Sequence, residues 1–396
     1  MSAVSADWRK YMYIYNAKII TMDEKGTVIE NGYVKTENGV IAEISEGAPE
    51  SLSENDINAE GNILMPGFVD IHTHMGFIGD GAGEEGIDVN EGSDPVMPQL
   101  RAIDGINFRD GYFKDAVKAG VTSVVTGVGS LNPIGGDMIA LKTAGRCLDE
   151  AIICRSGIKF ALGENPKSYY TERDEAPQTR MATAALIREA LEKAKRYKEQ
   201  LDSAEEPEDR PDYDIKCEAL IPLLNGELKA HFHCHRADDI MTALRICKEF
   251  DLTPLLIHCT EGHLIADILG EKGAEAVVGP IICDRGKPEL ANASLENAAK
   301  LNDAGVKLAI CTDHPETPIN FLTAGAAYCH KYGLPKETAL RALTSTAAEL
   351  GGFGDKTGSV SVGKDADLII LDNDPFEIMT NVLMTMINGK VYYERN

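Results

Sequence analysis

The segment Asp70-Ile71-His72-Thr73-His74 closes an apolar run that begins at Pro66-Gly67-Phe68-Val69. In a strand, residues i and i+2 point the same way, so His72 and His74 would present two imidazoles to one point, as metal ligation requires. A chance pair in a loop has the same spacing, but other strand ends add weight. Glu164 follows Phe160-Ala161-Leu162-Gly163, and His231, His233 and His235 alternate through another apolar run. His258 ends Leu255-Leu256-Ile257, and Asp313 ends Leu308-Ala309-Ile310-Cys311-Thr312. Buried imidazoles and carboxylates without partners are costly, and a metal ion gives them a common partner. His231 lies deepest in its run and reads as structural.

Elements that could carry these residues follow from periodicity. Short apolar runs (Gly67 to Ile71, Thr122 to Thr126, Ile158 to Leu162, Leu228 to Cys234, Pro254 to Ile257, Val277 to Ile282, Lys307 to Cys311) alternate with helical patterns such as Gln178 to Leu201 and Asp239 to Phe250. That order predicts a parallel sheet covered by helices, and at this length an α/β fold of the (β/α)8 TIM-like barrel type, with some distortion. Seven strands are legible; the eighth is expected between Leu162 and Leu228. Both chain ends are different, with short β-type runs and the tight-turn pairs Asn31-Gly32, Asn38-Gly39 and Asn388-Gly389. We therefore expect residues 1–65 and 357–396 to form one composite β-sandwich domain and residues 66–356 the barrel. The stretch from Met75 to Asp104 follows the first barrel strand and reads as a lid or specificity loop. It holds seven acidic residues and one Arg, a hint of a cationic or polar ligand.

Composition limits the alternatives. Lys and Arg number 39 and Asp and Glu 63, so the net charge is 39 − 63 = −24. Such a surface repels phosphate backbones and anionic lipid, against nucleic-acid or membrane partners. No apolar run approaches the ~18 residues of a membrane span. The first ten residues lack a secretory leader's basic and apolar regions. Nine cysteines without a Cys-x-x-Cys pair are best read as reduced, mostly small core residues of a cytoplasmic protein. A homo-oligomer is compatible with all of this.

The chain resembles the amidohydrolase superfamily of metal-dependent hydrolases. The resemblance rests on Pro66 to His74 (PGFVDIHTH), His233, His258, Asp313 in CTDHP, and Gly358 to Asp372 (GSVSVGKDADLIILD). Asn132 to Gly145 and Ala161 to Lys167 look most like the imidazolonepropionase-related branch. The resemblance implies His72, His74, His233 and His258 as metal ligands and Asp313 as ligand and general base. It implies one or two divalent ions, with zinc first and manganese or iron as alternatives, and a small-molecule substrate. The implied reaction is hydrolysis of an amide, cyclic amide or related non-peptide C–N bond. Deamination or ring opening of a nitrogen heterocycle is the runner-up, and a non-catalytic binding barrel stands behind both.

Two departures from the family pattern matter. Two-metal members use a carboxylated lysine, yet Lys159 and Lys229 stand at strand beginnings in this reading, so Glu164 is the expected substitute. Deaminases carry a glutamate three residues after the fifth-strand His, where this chain has Arg236. That leaves His233 and His235 both open as ligand, with His233 favoured and His235 as a second-metal or substrate contact. His263, Lys167 and Tyr169 are further substrate-contact candidates, each equally compatible with capping or solvent exposure.

Overall fold

The computed structural model describes residues 11–395, so the leader reading and the start of the composite domain lie outside the described residues. The first strands are β1 (Tyr11–Ile20), β2 (Val28–Glu37), β3 (Val40–Glu46), β4 (Ile57–Asn58) and β5 (Ile63–Pro66). The barrel strands are β6 (Phe68–Thr73), β7 (Val121–Gly127), β8 (Ile134–Lys142), β9 (Ile152–Ala161), β10 (Lys229–Cys234), β11 (Pro254–His258), β12 (Glu275–Val278) and β13 (Lys307–Ile310). The chain ends with β14 (Leu368–Leu371), β15 (Val382–Ile387) and β16 (Lys390–Glu394).

Strands from the two chain ends join one sheet in the order β16-β15-β14-β5-β1-β2-β3, with β4 paired to β1. Two of the three turn pairs do the expected work: Asn38-Gly39 links β2 to β3 and Asn388-Gly389 links β15 to β16, with positive φ at all four residues. Asn31-Gly32 instead lies inside β2, where Gly32 pairs with Ala17 of β1. Alternate residues of these strands, among them Ile14, Val34, Leu64, Leu368 and Met386, pack into one core shared by both ends.

β6 to β13 form the second sheet in strict sequence order, and it closes nearly into a barrel. Closure between β13 and β6 comes from the chain just beyond β13: Asp313 N donates to His72 O (3.1 Å), and His74 N donates to His314 O (2.8 Å). Inside, Val69, Val125, Met138, Leu255, Ile257, Val277 and Ala309 meet Phe353 and the helix Ser345–Leu350. Helices cover the outside as the periodicity predicts. Thr179 caps the helix Arg180–Ser203 by accepting from Ala182 N, and Ala184, Ile187, Leu191, Ala194 and Tyr197 are buried. Met181, in the first turn of that helix, is 80% exposed.

The eighth strand is not between Leu162 and Leu228. It is β8, and it runs antiparallel to β7 and β9. Paired glycines hid it, since Gly135-Gly136 reads as a turn. In the fold they permit close approach: a Cβ at Gly136 would lie 2.4 Å from Leu100 O, where the Met75–Asp104 loop crosses the strand. A second boundary also moves. β9 begins at Ile152 rather than Ile158, which makes Lys159 the third residue from its C-terminal end.

All nine cysteines are free, and six are buried, consistent with their use as core residues. Among the described residues no helix is long and apolar enough to cross a membrane.

Candidate metal centre and active site

The C-terminal ends of the barrel strands surround a cavity of about 470 Å³. His74, His233, His235, His258 and Asp313 line it, and Ile78, Val89 and Asn90 bring the long loop into its wall. None of that loop's acidic residues lines the cavity, so the cationic-ligand hint from its composition finds no support there.

Asp313 is the point on which the first-strand histidines converge. Its Oδ1 lies 3.3 Å from His72 Nε2 and 3.4 Å from His74 Nε2, yet it has no hydrogen-bond partner although buried. Burial pushes the Asp313 carboxyl up, but the imidazoles of His258, His72 and His74 outweigh it and hold the group well below the usual carboxylate range. His74 Nδ1 donates to Gly127 O and His258 Nδ1 to Gly279 O, each at 2.8 Å. Such carbonyl partners fix the tautomer and leave Nε2 with its lone pair. Burial lowers His72 to about 3 and pushes His233 and His258 well below the ordinary imidazole value. These rings are therefore neutral near pH 7, the form that binds metals.

Backbone strain accompanies the same residues. His258 has φ 71° and Asp313 φ 52°. A residue with a Cβ in this region costs on the order of 1–3 kcal/mol and persists where its surroundings over-determine it. Here the strand ends turn both side chains toward the cavity. Asp70 supports the closure from behind, accepting from Thr312 N (3.0 Å), Thr312 Oγ1 (2.5 Å) and His72 N (3.2 Å).

Two groups of donor atoms lie within 4.8 Å of one another: His72, His258 and Asp313, and His233, His235 and His258. Their rings are contiguous, with centroids 5.3 Å apart for His72–His258, 4.6 Å for His233–His258 and 4.5 Å for His235–His258. Thus the residues read from strand ends on β6, β10 and β11 and after β13 do meet. His231 has its Nε2 3.4 Å from Ser156 Oγ and is wholly buried, as a structural residue should be.

Glu164 joins neither group. The chain turns at Gly163 (φ 89°) into the helix Glu164–Thr171, and it is the Glu164 backbone N–H that reaches the site, donating to Glu289 Oε2 at 2.9 Å. Lys167 and Tyr169 lie on the same helix and do not line the cavity; the Tyr169 ring carries the Arg173 guanidinium 3.5 Å above it. His263 sits in the turn Gly262–Leu264 with its N–H donated to Asn297, also off the cavity wall. Arg236 faces outward in a paired hydrogen bond with Asp238.

Two buried residues take on importance that the sequence reading did not give them. Lys159 Nζ is 3.0 Å from His72 Nε2, and burial lowers its amine to about 8. No carboxylate hydrogen-bonds it among the described contacts. Its strand position is the available signal, and a strand beginning only at Ile158 conceals it. Glu289, from the short turn Pro288–Leu290 after β12, is 1% exposed and stands beside His233 and His235. Nothing in its local sequence marks it.

Residues 225–393 match the model of the Amidohydrolase family, Amidohydro_3. The crystal structure of an amidohydrolase from Thermotoga maritima MSB8 is 36% identical, covers 97% of this chain and 100% of that one, and has a TM-score of 0.93. Amidohydrolase tasK of Hapsidospora irregularis is 28% identical over 92% of this chain; the chain spans only 40% of that protein's length. A 5-methylthioadenosine/S-adenosylhomocysteine deaminase of Bacillus cereus (strain 03BB102) is 27% identical, with 90% of this chain and 84% of that protein aligned.

Proposed function

This chain belongs to the amidohydrolase family, and from that premise we propose that it hydrolyses a carbon–nitrogen bond, other than a peptide bond, in a small molecule with the help of a divalent metal. The observation that carries the proposal is Asp313 Oδ1, which sits between His72 and His74, buried and without a hydrogen bond. A cation between these donors removes the cost of the orphaned oxygen. Neutral imidazoles and a carboxylate suit zinc, manganese or iron, and zinc is our first choice.

His72, His74, His233, His258 and Asp313 would hold the metal. When bound, such an ion lowers the pKa of a water toward 7 and polarises a substrate carbonyl. The remaining chemistry belongs to the chain. Asp313 accepts the proton of the attacking water and returns it to the departing nitrogen. The carbonyl ligands of His74 and His258 keep those rings from turning during the reaction.

Lys159 replaces Glu164 as the bridging candidate. With its amine lowered to about 8, roughly one molecule in ten has a neutral Nζ at pH 7. That lone pair can attack CO2: an N–C bond forms, one C=O electron pair moves to oxygen, and Nζ releases a proton. The product is a carbamate, an anionic ligand with two oxygens.

Deamination is the second reading, favoured by the name of the Bacillus relative. Against it stands Arg236, which occupies the position three residues after His233 where deaminases carry a glutamate and is bonded outward to Asp238.

The test is elemental analysis of the purified protein, then chelation, metal restoration and a screen of amides, cyclic amides and amino-heterocycles with amine and ammonia readouts. Turnover that disappears on chelation and returns with zinc or manganese is expected. Protein that binds neither metal would overturn the reading. Ammonia release from amino-heterocycles alone would select the deaminase.

A further inference from the structure

We propose that this chain pairs with a second copy of itself through a two-fold contact centred on the helix Leu322–Lys331 and the loop 372–381 between β14 and β15. This face shares no lining residue with the catalytic cavity, so the pairing stands apart from the metal-dependent reading.

The helix supplies the first argument. In its sequence, LTAGAAYCHK, Lys331 is the sole Asp, Glu, Lys or Arg. Leu322, Ala326 and Cys329 are buried in the core. The outward side should then be polar, as on an ordinary surface helix. Instead Ala324, Ala327 and Tyr328 face a surface cavity of about 510 Å³, which Phe321, Pro375 and Phe376 also line. A helix apolar on both sides is made to be covered, and a contiguous exposed apolar patch marks an interaction surface.

Beside the hollow stands a projection. Ile378 is 88% and Met379 81% exposed on the loop. The loop that displays them is fastened at several points. Asn381 donates to Asp372 through its N (2.8 Å) and its Nδ2 (2.6 Å), and Phe376 N donates to Asp374 Oδ1 (3.0 Å). Asp374 is also ion-paired with Lys336. Apolar side chains held out on an anchored loop lose little further freedom when a partner covers them.

Projection and hollow lie on one face, which is what a two-fold contact requires: each copy's Ile378 and Met379 enter the other's cavity. The charges agree with that arrangement. Lys331 and Glu377 are the only charged residues lining the cavity, and neither forms an ion pair among the described residues. Across the two-fold axis, Lys331 meets the partner's Glu377. With a net charge of −24, two copies repel wherever acidic residues dominate. A face with one charge of each sign escapes that repulsion and offers a basic protein nothing to prefer.

The experiment is sedimentation equilibrium of the full chain as wild type, Ile378→Asp, Lys331→Glu and Glu377→Lys. The wild type should have twice the mass of one chain and grow no further with concentration, since a two-fold contact closes on itself. Ile378→Asp should weaken the dimer roughly 30-fold or more, the scale of an interface hot spot. Lys331→Glu and Glu377→Lys each set like charges against one another and should each be mainly monomeric. Mixed in equal amounts, those two should dimerise again, because every pair across the contact then unites opposite charges. A wild type still monomeric at high micromolar concentration would overturn the proposal and leave the face to a different protein. So would growth beyond two chains, a dimer that none of the substitutions weakens, or charge variants that stay apart on mixing. Far-UV circular dichroism checks folding, and if Ile378→Asp does not fold, Met379→Lys decides.

Discussion

Lys159 Nζ lies 3.0 Å from His72 Nε2, a lysine from the fourth barrel strand meeting an imidazole from the first, with neither side chain open to solvent. A buried amine without a bound carboxylate is an expensive feature for stability alone. The carbamate proposed above would remove that cost. Lys159→Met should fold normally but lose metal affinity and turnover on the order of 100-fold, the scale at which metal-positioning groups are felt. Wild-type protein given labelled bicarbonate should develop a carbamate carbon signal in 13C NMR that the variant lacks. Equal metal content in both proteins and no such signal would exclude a carbamate.

Asp313→Asn keeps shape and volume but removes the proposed base. Turnover should fall by roughly 10²–10⁴-fold, the range for a lost general acid–base group. Circular dichroism should be unchanged. Activity near wild type would remove Asp313 from the proton path.

His314 makes stability depend on pH. Its Nδ1 accepts from Ile319 N at 3.0 Å, and burial lowers the ring from 6.5 to about 4. Below 6.5 the unfolded chain takes up a proton that the folded chain refuses. The contribution is therefore complete above pH 6.5 and is lost as pH falls toward 4, about 3 kcal/mol at most. Urea midpoints of metal-free protein between pH 7 and 4 measure it. His314→Asn, whose Oδ1 can accept from Ile319 N, should flatten the profile; an identical profile would assign the acid sensitivity elsewhere.

Lys142 joins the two sheets. From the end of β8 it reaches Asp365 Oδ2 at 2.7 Å and also contacts buried Asp367, just before β14. Breaking a buried pair from one side leaves an uncompensated charge, typically at a cost of about 3–5 kcal/mol. Lys142→Met should lower Tm, and adding Asp367→Asn should restore part of the loss. Thermal melts of the three proteins decide it; an unchanged Tm in Lys142→Met would mean the pair is worth nothing.

What could be read in advance was what repeats or ends a strand. His72, His74, His233, His258 and Asp313 each close or alternate along an apolar run, so their convergence followed from strand geometry. Lys159 failed that test only because the polar start of β9 (Cys154, Arg155, Ser156) concealed how far the strand extends. Glu164 also follows an apolar run, but Gly163 adopts a positive φ that turns the chain into a helix and carries the Glu164 side chain away from the donor groups. Glu289 had no periodic context at all; tertiary contact alone brings a loop carboxylate to β10.

The reversed direction of β8 has a consequence for how this scaffold could change its ligand preference. In a parallel barrel each connection at the mouth leads into a helix that must pack again on the far side. The segment from 128 to 133 instead leaves β7 and enters β8 at the same rim, and Asn132 Nδ2 donates there to Glu91 O (2.8 Å) and Asp94 O (3.2 Å). Both of its anchors are neighbouring strands, so added residues would cost little closure entropy, about 0.6 kcal/mol per doubling of length, and would disturb no helix. Of all the rim connections, this hairpin is the natural place for insertions that reshape the opening while the histidine cluster stays fixed.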